Sequence, residues 1–133
     1  MAKESAALAV IIDDAGSAAR TISNSIGSVD MATPRGVQDV TGVDKTSMER
    51  LLLLGDYSAT FNGFFNDGSN DAHAVFKTVP SSSVTRTVSV AHSGQTLAVE
   101  ALLTDYQLSR AQNGELTTTV PAVLQSGSDP TWS

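Results

Sequence analysis

Most of the chain consists of segments in which apolar and polar residues alternate. Residues 7–13 form a compact apolar run that ends at two aspartates, and residues 20–32 alternate more loosely. Alternation with a period of two is typical of β-strands, because successive side chains point to opposite faces of a sheet. We therefore predict a strand in each segment, with Gly27 as a β-bulge in the second.

The strongest strand signal covers residues 48–66. Asn62-Gly63 is normally a hairpin turn, but the alternation resumes at Phe65, so we predict that the strand continues through this dipeptide. The predicted apolar face consists of Leu51, Leu53, Tyr57, Ala59, Phe61 and Phe65.

The second half of the chain alternates in three further segments, which are residues 84–92, 97–111 and 116–124. Asn113-Gly114 lies between the last two segments, and this dipeptide favours the tight turn of a β-hairpin. These segments predict three more strands, of which the last two pair with each other.

One helix is predicted between the strands, over residues 70–79. Apolar residues, among them Val75 and Phe76, recur there at helical spacing. Ser69 or Asn70 is the expected N-cap, because the side chains of Ser and Asn accept hydrogen bonds from the first backbone N–H groups of a helix. We expect Val75 and Phe76 to pack this helix on the sheet.

Residues 33–47 interrupt both patterns. Pro34 and Gly36 disfavour a strand ladder, and the valines of this segment are too isolated to form a helical stripe. A loop of about 15 residues is uncommon in a compact domain unless it is functional or mobile. We therefore predict a long functional loop here.

Together these elements predict a single, mainly β domain over residues 1–133. The expected architecture is a small β-sandwich or partly closed barrel with one short α-helix on its flank and a long early loop. Residues 126–133 form a polar C-terminal tail, which we expect to become ordered only on a partner.

The composition narrows the compartment and the chemistry. A hydrophobic content of 41% indicates a folded chain, yet no apolar run approaches the roughly 18 residues of a membrane span. The first residues lack the pattern of a signal peptide, which predicts a protein made and folded in the cytosol. Because the chain has no cysteine, it has neither disulfides nor thiolate nucleophiles nor cysteine-ligated metals.

The charge balance argues against a sequence-reading nucleic-acid binder. The chain has 8 Lys and Arg against 14 Asp and Glu, for a net charge of -6. No two basic residues are adjacent, whereas tight phosphate binding uses clustered Lys and Arg. The arginines predicted to be balanced surface charges are Arg20, Arg35, Arg86 and Arg110.

Candidate catalytic and metal-binding residues are few. His73 and His92 lack neighbours at metal-ligand spacing, and we interpret both as polar surface residues. Asp13 and Asp14 are adjacent at a strand end, which is typical of a solvated turn rather than of an acid–base pair. The sequence contains no nucleophile elbow and no phosphate loop. We therefore predict a protein that is not an enzyme and needs no cofactor.

Several short strings, none of them a catalytic motif, follow one another along the chain. They are residues 34–42 (PRGVQDVTG), 49–54 (ERLLLL), 62–67 (NGFFND), His73, 75–78 (VFKT) and 85–88 (TRTV). Their order resembles that of the major tail tube proteins of long-tailed, siphovirus-type bacteriophages. The resemblance extends from Ala2 to Trp132.

The resemblance implies a structural virion protein whose hexameric rings stack into the hollow tail tube that delivers the genome DNA. In that family the subunit sheets join into an inner barrel, the long early loop contacts the neighbouring ring, and the lumen is acidic. Residues implied in contacts are Arg35, Gln38, Asp39, Asp44 and Lys45 in the loop, Val75 and Phe76 in the helix, and Trp132 in the C-terminal arm.

The resemblance also implies an N-terminal arm of about residues 1–6 and a C-terminal arm of about residues 126–133, which become ordered on assembly.

The resemblance further implies partners and a location. The partners are other copies of the chain, the tail tip and tail terminator proteins, the tape-measure protein, and DNA that passes without tight binding. The location is a virion tail assembled in the host cytoplasm. A second interpretation from a different class remains, which is a monomeric or trimeric β-sandwich that binds or decorates a phage or cell surface.

Overall fold

The computed structural model describes residues 8–133, and it is built almost entirely of antiparallel strands. The first strands are β1 (Leu8–Asp13), β2 (Ala19–Thr21), β3 (Ile26–Ala32), β4 (Arg35–Asp39), β5 (Arg50–Gly55) and β6 (Ser58–Phe64), with a 3-10 turn at Ser23–Ser25. Helix α1 (Ala72–Phe76) follows, and then β7 (Arg86–His92), β8 (Gln95–Leu103), β9 (Gln107–Arg110), β10 (Leu116–Leu124) and β11 (Thr131–Trp132).

The main sheet has the strand order β2-β1-β7-β8-β10-β6-β3, with β9 paired to β10 and β11 paired to β8. Strands β4 and β5 form a separate two-stranded sheet. The main sheet is not a closed barrel. Buried residues from both of its halves belong to one hydrophobic cluster, which indicates that the sheet curves around its core. The prediction of a mainly β fold with one short helix is confirmed.

The core lies on one face of the main sheet and follows the predicted alternation. In β7, Val88 and Val90 are fully buried, while in β6 Ala59 and Phe61 are buried and their neighbours are not. Phe76 of α1 belongs to the same buried cluster. Alternation therefore identified the buried face of these strands.

Several local predictions differ from the structure in their boundaries. The predicted strand 48–66 is divided into β5 and β6, and the predicted strand 97–111 into β8 and β9. The chain does run straight through Gly63, where a Cβ atom would collide with the backbone oxygen of Ser25. Only glycine fits there, so this Asn-Gly is a close approach of two backbones and not a turn.

The helix is shorter than predicted and has a different cap. It spans only Ala72–Phe76, and its N-cap is Asp71 rather than Ser69 or Asn70, with no side-chain cap hydrogen bond. Hydrogen-bonded turns continue the chain after Phe76, from Lys77 to Ser81. Within α1, Val75 and Phe76 are fully buried.

Arg86 is buried, contrary to the prediction that it is a surface charge. It shares the core face of β7 with Val88 and is only 1% exposed. Its guanidinium donates to the backbone oxygens of Val75 (2.6 Å) and Asp13 (3.2 Å) and to the Thr78 hydroxyl (2.9 Å). Burial lowers the pKa of Arg86, and the nearby carboxylates act in the opposite direction. This arginine therefore joins α1, β1 and β7.

The C-terminal arm is ordered within the chain, which differs from the expectation that it needs a partner. Thr131 and Trp132 pair with Ala98 and Leu97 of β8, and Ser133 exchanges two backbone hydrogen bonds with Thr96. The N-terminal arm, predicted at residues 1–6, lies outside the described residues. No helix within residues 8–133 is both long enough and apolar enough to cross a membrane.

We expect Arg86→Met to lower the free energy of unfolding by about 2–4 kcal/mol, because it leaves buried acceptors without a donor. Urea unfolding at neutral pH measures this loss. The matched control is Arg110→Met in β9, where the side chain is exposed and the expected change is within about 0.5 kcal/mol. Equal effects of the two substitutions would contradict the role assigned to Arg86.

Candidate functional site

The hairpin formed by β4 and β5 extends from the main sheet at the position of the predicted loop. Gln38 pairs with Leu51 and Asp39 with Arg50, and the register shifts between Arg35 and Val37. The prediction that this segment forms no ladder is therefore wrong. The register shift is a β-bulge in β5, where Leu53 and Leu54 together face the single residue Gly36. Pro34 lies just outside β4, where it costs no ladder hydrogen bond.

Side chains and backbone hold the hairpin in one register. At its base, the Arg35 Nε donates to the Leu53 backbone oxygen (2.9 Å) and the Asp56 N–H donates to the Pro34 oxygen (3.0 Å). Near its tip, the Thr41 hydroxyl accepts from the Glu49 N–H (2.7 Å) and donates to the Glu49 oxygen (3.1 Å). Hydrogen bonds from Thr41 lower the pKa of Asp39.

Both faces of this hairpin are apolar and exposed. Every residue of β4 is exposed, and so are all four leucines of β5. Leu52 shares a face with its partner Val37, while Leu51 and Leu53 lie on the opposite face. Leu54 is 91% exposed. The large apolar residues that the hairpin exposes are Val37, Val40, Val43, Met48, Leu51, Leu52, Leu53 and Leu54.

The leucines are the site residues that sequence reasoning missed. Leu51 and Leu53 were assigned to the same face as Tyr57 and Phe61, and the latter two are indeed buried. The signal was present, since four consecutive leucines cannot all lie on one face of a strand. A run that is apolar on both faces indicates a strand that needs a partner on each side.

The structure brings the predicted loop residues together on this hairpin. Arg35, Gln38 and Asp39 lie in β4, and Asp44 and Lys45 lie at the tip. The Lys45 Nζ is 3.9 Å from a carboxylate oxygen of Glu49, and both side chains are about half exposed. Trp132 lies elsewhere, in β11 beside β8, and is 52% exposed.

A second surface lies on the four strands β3, β6, β10 and β9, on the face opposite the core. Eight of its thirteen side chains are neutral and polar, four are apolar and one is acidic. They are Ser28, Asp30, Ala32, Ser58, Thr60, Asn62, Phe64, Gln107, Ser109, Thr117, Thr119, Pro121 and Val123, which follow from the register of the pairs. Asp30 is the one charged residue among them.

The same four strands have an unpaired edge on each side. Strand β3 pairs only with β6 and strand β9 only with β10 among residues 8–133. Such edges present rows of backbone donors and acceptors to which another strand can add.

The histidines belong to neither surface. The Nδ1 atom of His73 lies 3.2 Å from the Tyr106 hydroxyl oxygen, and its ring centroid lies 4.9 Å from that of Phe65. His73 therefore packs α1 against the segment between β8 and β9. Within residues 8–133 no three potential metal ligands come together.

Two solved structures resemble this fold over almost its whole length. A chain of the tail of an empty gene-transfer-agent (GTA) particle, refined helically with C6 symmetry, has a TM-score of 0.73 and 18% sequence identity, covering 99% of this chain and 98% of that chain. A chain of the native GTA virion has a TM-score of 0.71 and 17% identity, covering 99% of both chains. This chain has the fold of a GTA tail protein.

At this level of identity the likeness to the GTA tail chain concerns the fold. It confirms the resemblance to phage-type tail proteins at that level. No protein-family model and no curated protein sequence matches the chain.

We expect Leu52→Ser to change the free energy of unfolding by less than about 0.5 kcal/mol, because Leu52 is exposed and lies outside the core of this GTA-like fold. Leu97→Ser is the matched control: Leu97 is 1% exposed, and its replacement should cost at least about 3 kcal/mol. Urea unfolding of the dilute protein measures both. A large loss for Leu52→Ser would mean that the hairpin is part of the core.

Proposed function

We propose that this protein is the structural subunit of a phage-type tail tube, in which hexameric rings stack into a conduit for DNA. The observation that carries the proposal is the hairpin of β4 and β5, which exposes apolar side chains on both faces. A two-stranded hairpin is at best marginally stable in water. A surface of this kind is expected to be covered by another chain.

Ring formation is supported by the unpaired edges of β3 and β9. Adjacent strands in this four-stranded segment run antiparallel, so its two outermost strands run in opposite directions. Joining β9 of one copy to β3 of the next therefore continues an antiparallel ladder. A head-to-tail contact of this kind closes into a ring when the rotation between neighbouring copies is a full turn divided by a whole number. The C6 symmetry of the GTA tail that contains the similar chain is in keeping with six copies.

Ring stacking is assigned to the hairpin. Its predicted contact residues Arg35, Gln38, Asp39, Asp44 and Lys45 all lie on it and are exposed. Charged residues around an apolar centre orient partners and reject wrong ones, while the burial of the leucines supplies the attraction. The C-terminal arm, through Trp132, is assigned a smaller contact.

The lumen is assigned to the neutral face of β3, β6, β10 and β9. DNA is held tightly where Lys and Arg neutralise its phosphates. This face instead has hydroxyl and amide groups, four apolar side chains and the single carboxylate of Asp30. DNA and the tape-measure protein would therefore pass along it without tight binding. Helix α1 would lie on the outside of the tube.

The remaining parts of the proposal follow from a role as a tube subunit. The chain is a structural protein and not an enzyme, it assembles in the host cytoplasm and it resides in the virion tail. Its partners at the two ends of the tube are the tail tip and the tail terminator proteins. The alternative, a monomeric or trimeric binding or decoration module, predicts a small particle at every concentration.

Electron microscopy over a concentration series tests self-assembly. We expect six-fold rings or hollow tubes, and we expect Leu108→Pro to raise the concentration at which they form by about tenfold or more. The ladder between β9 and β10 shows where the N–H of Leu108 points. The N–H of Ala111 donates to the backbone oxygen of Glu115 (2.8 Å), so these two residues form a hydrogen-bonded pair. Bonded and non-bonded pairs alternate along the ladder, so the N–H of Leu108 points away from β10 and toward the open edge.

Leu108→Thr is the control, because it removes the same side chain but keeps the N–H. Its assembly should resemble that of the wild type. A uniform small particle at every concentration that also fails to extend a supplied tail-tip complex would overturn the tube in favour of the binding module.

Labelling of introduced cysteines tests the lumen assignment, and the absence of native cysteine makes each label specific. We expect Ser58→Cys, on the neutral face, to react with a bulky maleimide in the monomer but not in the assembled tube. Ser69→Cys, in the exposed segment before α1, should react in both states. Equal reactivity of the two sites in tubes would show that the neutral face is not the lumen.

A further inference from the structure

The tip of the hairpin exposes one apolar side chain, Val43, next to two charged ones. Val43 is completely exposed. Asp44 and Lys45 follow it, and the carboxylate of Asp44 is turned back toward Gly42, where a Cβ atom would lie 2.8 Å from its Oδ1. The tip therefore presents one branched apolar group with a carboxylate and an ammonium group beside it.

The base of the same hairpin forms a cleft of about 560 Å³. The leucines at positions 52–54 line it, and Arg35 and Asp129 contribute opposite charges. The Asp129 carboxylate lies against Gly55, where a Cβ atom would be only 2.9 Å from its Oδ1. The Nε of Arg35 donates a hydrogen bond to the backbone oxygen of Leu53, whereas the terminal nitrogens of Arg35 have no hydrogen-bond partner among residues 8–133. The cleft is therefore apolar with one cation and one anion at its side.

We propose that the hairpin tip of one copy docks into the hairpin-base cleft of a second copy. In this arrangement Val43 packs on the leucines of the cleft, Lys45 lies beside Asp129 of the second copy, and Asp44 lies beside its Arg35. The inference rests on the proposed function and names the contact between stacked rings.

Charge complementarity and geometry identify the occupant as a second copy. The tip offers an apolar group, an anion and a cation, and the cleft offers an apolar surface, a cation and an anion. Because tip and cleft lie at opposite ends of one hairpin, they cannot meet within a chain. A contact between two different patches is heterologous, and its repetition by translation produces an open filament rather than a closed dimer.

The two parts of the contact have different roles. Exposed ion pairs contribute little attraction by themselves, so the burial of Val43 and the leucines drives docking. The charges determine direction, because a reversed orientation would place Lys45 beside Arg35. Like charges brought together at an interface are strongly unfavourable.

Charge reversal on each side tests the proposal. We expect Lys45→Glu and Asp129→Lys each to raise the critical concentration for tube formation by about tenfold or more. Both side chains are exposed, so the unfolding transition of the monomer should not change. Glu49→Gln is the control, because it removes the contact of Lys45 with Glu49 without changing the proposed docking pair.

Mixing the two variants identifies contacts between copies. The reversed tip of the Lys45→Glu chain would meet the reversed cleft of the Asp129→Lys chain, and the unchanged tip and cleft would meet each other. An equimolar mixture should therefore assemble at a concentration close to that of the wild type. The double variant should recover in the same way. Wild-type assembly of both single variants, or no recovery in either combination, would overturn the proposal.

A disulfide test does not depend on tubes. Oxidation of a mixture of Lys45→Cys and Asp129→Cys chains should give crosslinked dimers that contain one chain of each kind, whereas Lys77→Cys with Asp129→Cys should give none. Tubes without this crosslink would overturn the docking contact and leave the tube function intact. The crosslink without rings or tubes would support docking and overturn the tube function.

Discussion

A two-stranded hairpin cannot bury its own side chains, and this constraint governs the molecule. A strand has two faces, and in the main sheet one of them rests on the core. Strands β4 and β5 lie outside that sheet, yet the leucines of β5 make both faces apolar. Among residues 8–133 these leucines stay exposed, and the proposed function assigns their burial to another copy of the chain. This requirement links the fold to the proposed self-assembly.

The rest of the fold gives this hairpin a rigid base. Strands β3 and β6, which precede and follow it, are paired along their length and lie in the main sheet. A backbone hydrogen bond between Asp56 and Pro34 closes the root of the hairpin. Farther away, hydrogen bonds from Arg86 in β7 hold α1 and β1 together beside the core. A projecting arm keeps a defined direction only when its attachment is fixed in this way.

Charged and neutral surfaces are separated in the structure. The hairpin has both acidic and basic residues, among them Arg35, Asp39, Lys45 and Arg50. The face of β3, β6, β10 and β9 that lies opposite the core has one carboxylate and no cation. Mixed charges orient a protein partner, whereas a face without cations gives a polyanion nothing to hold. In the proposed tube, the hairpin would serve recognition between copies and this face would serve the passage of DNA.

The sequence by itself determined features that depend on neighbouring residues: the alternation in β7 and β10, the bulge at Gly27 and the β9–β10 turn at Gly114, which has a positive φ. Only the tertiary structure decided what each face meets. Alternation cannot distinguish a face that packs on the core from one that awaits a partner, so Leu51 and Leu53 were misassigned. Burial of Arg86 depended on backbone oxygens from distant segments. Strand β4 formed because β5 was available to pair with it, and a bulge in β5 lies opposite the glycine that local propensity counted against a strand.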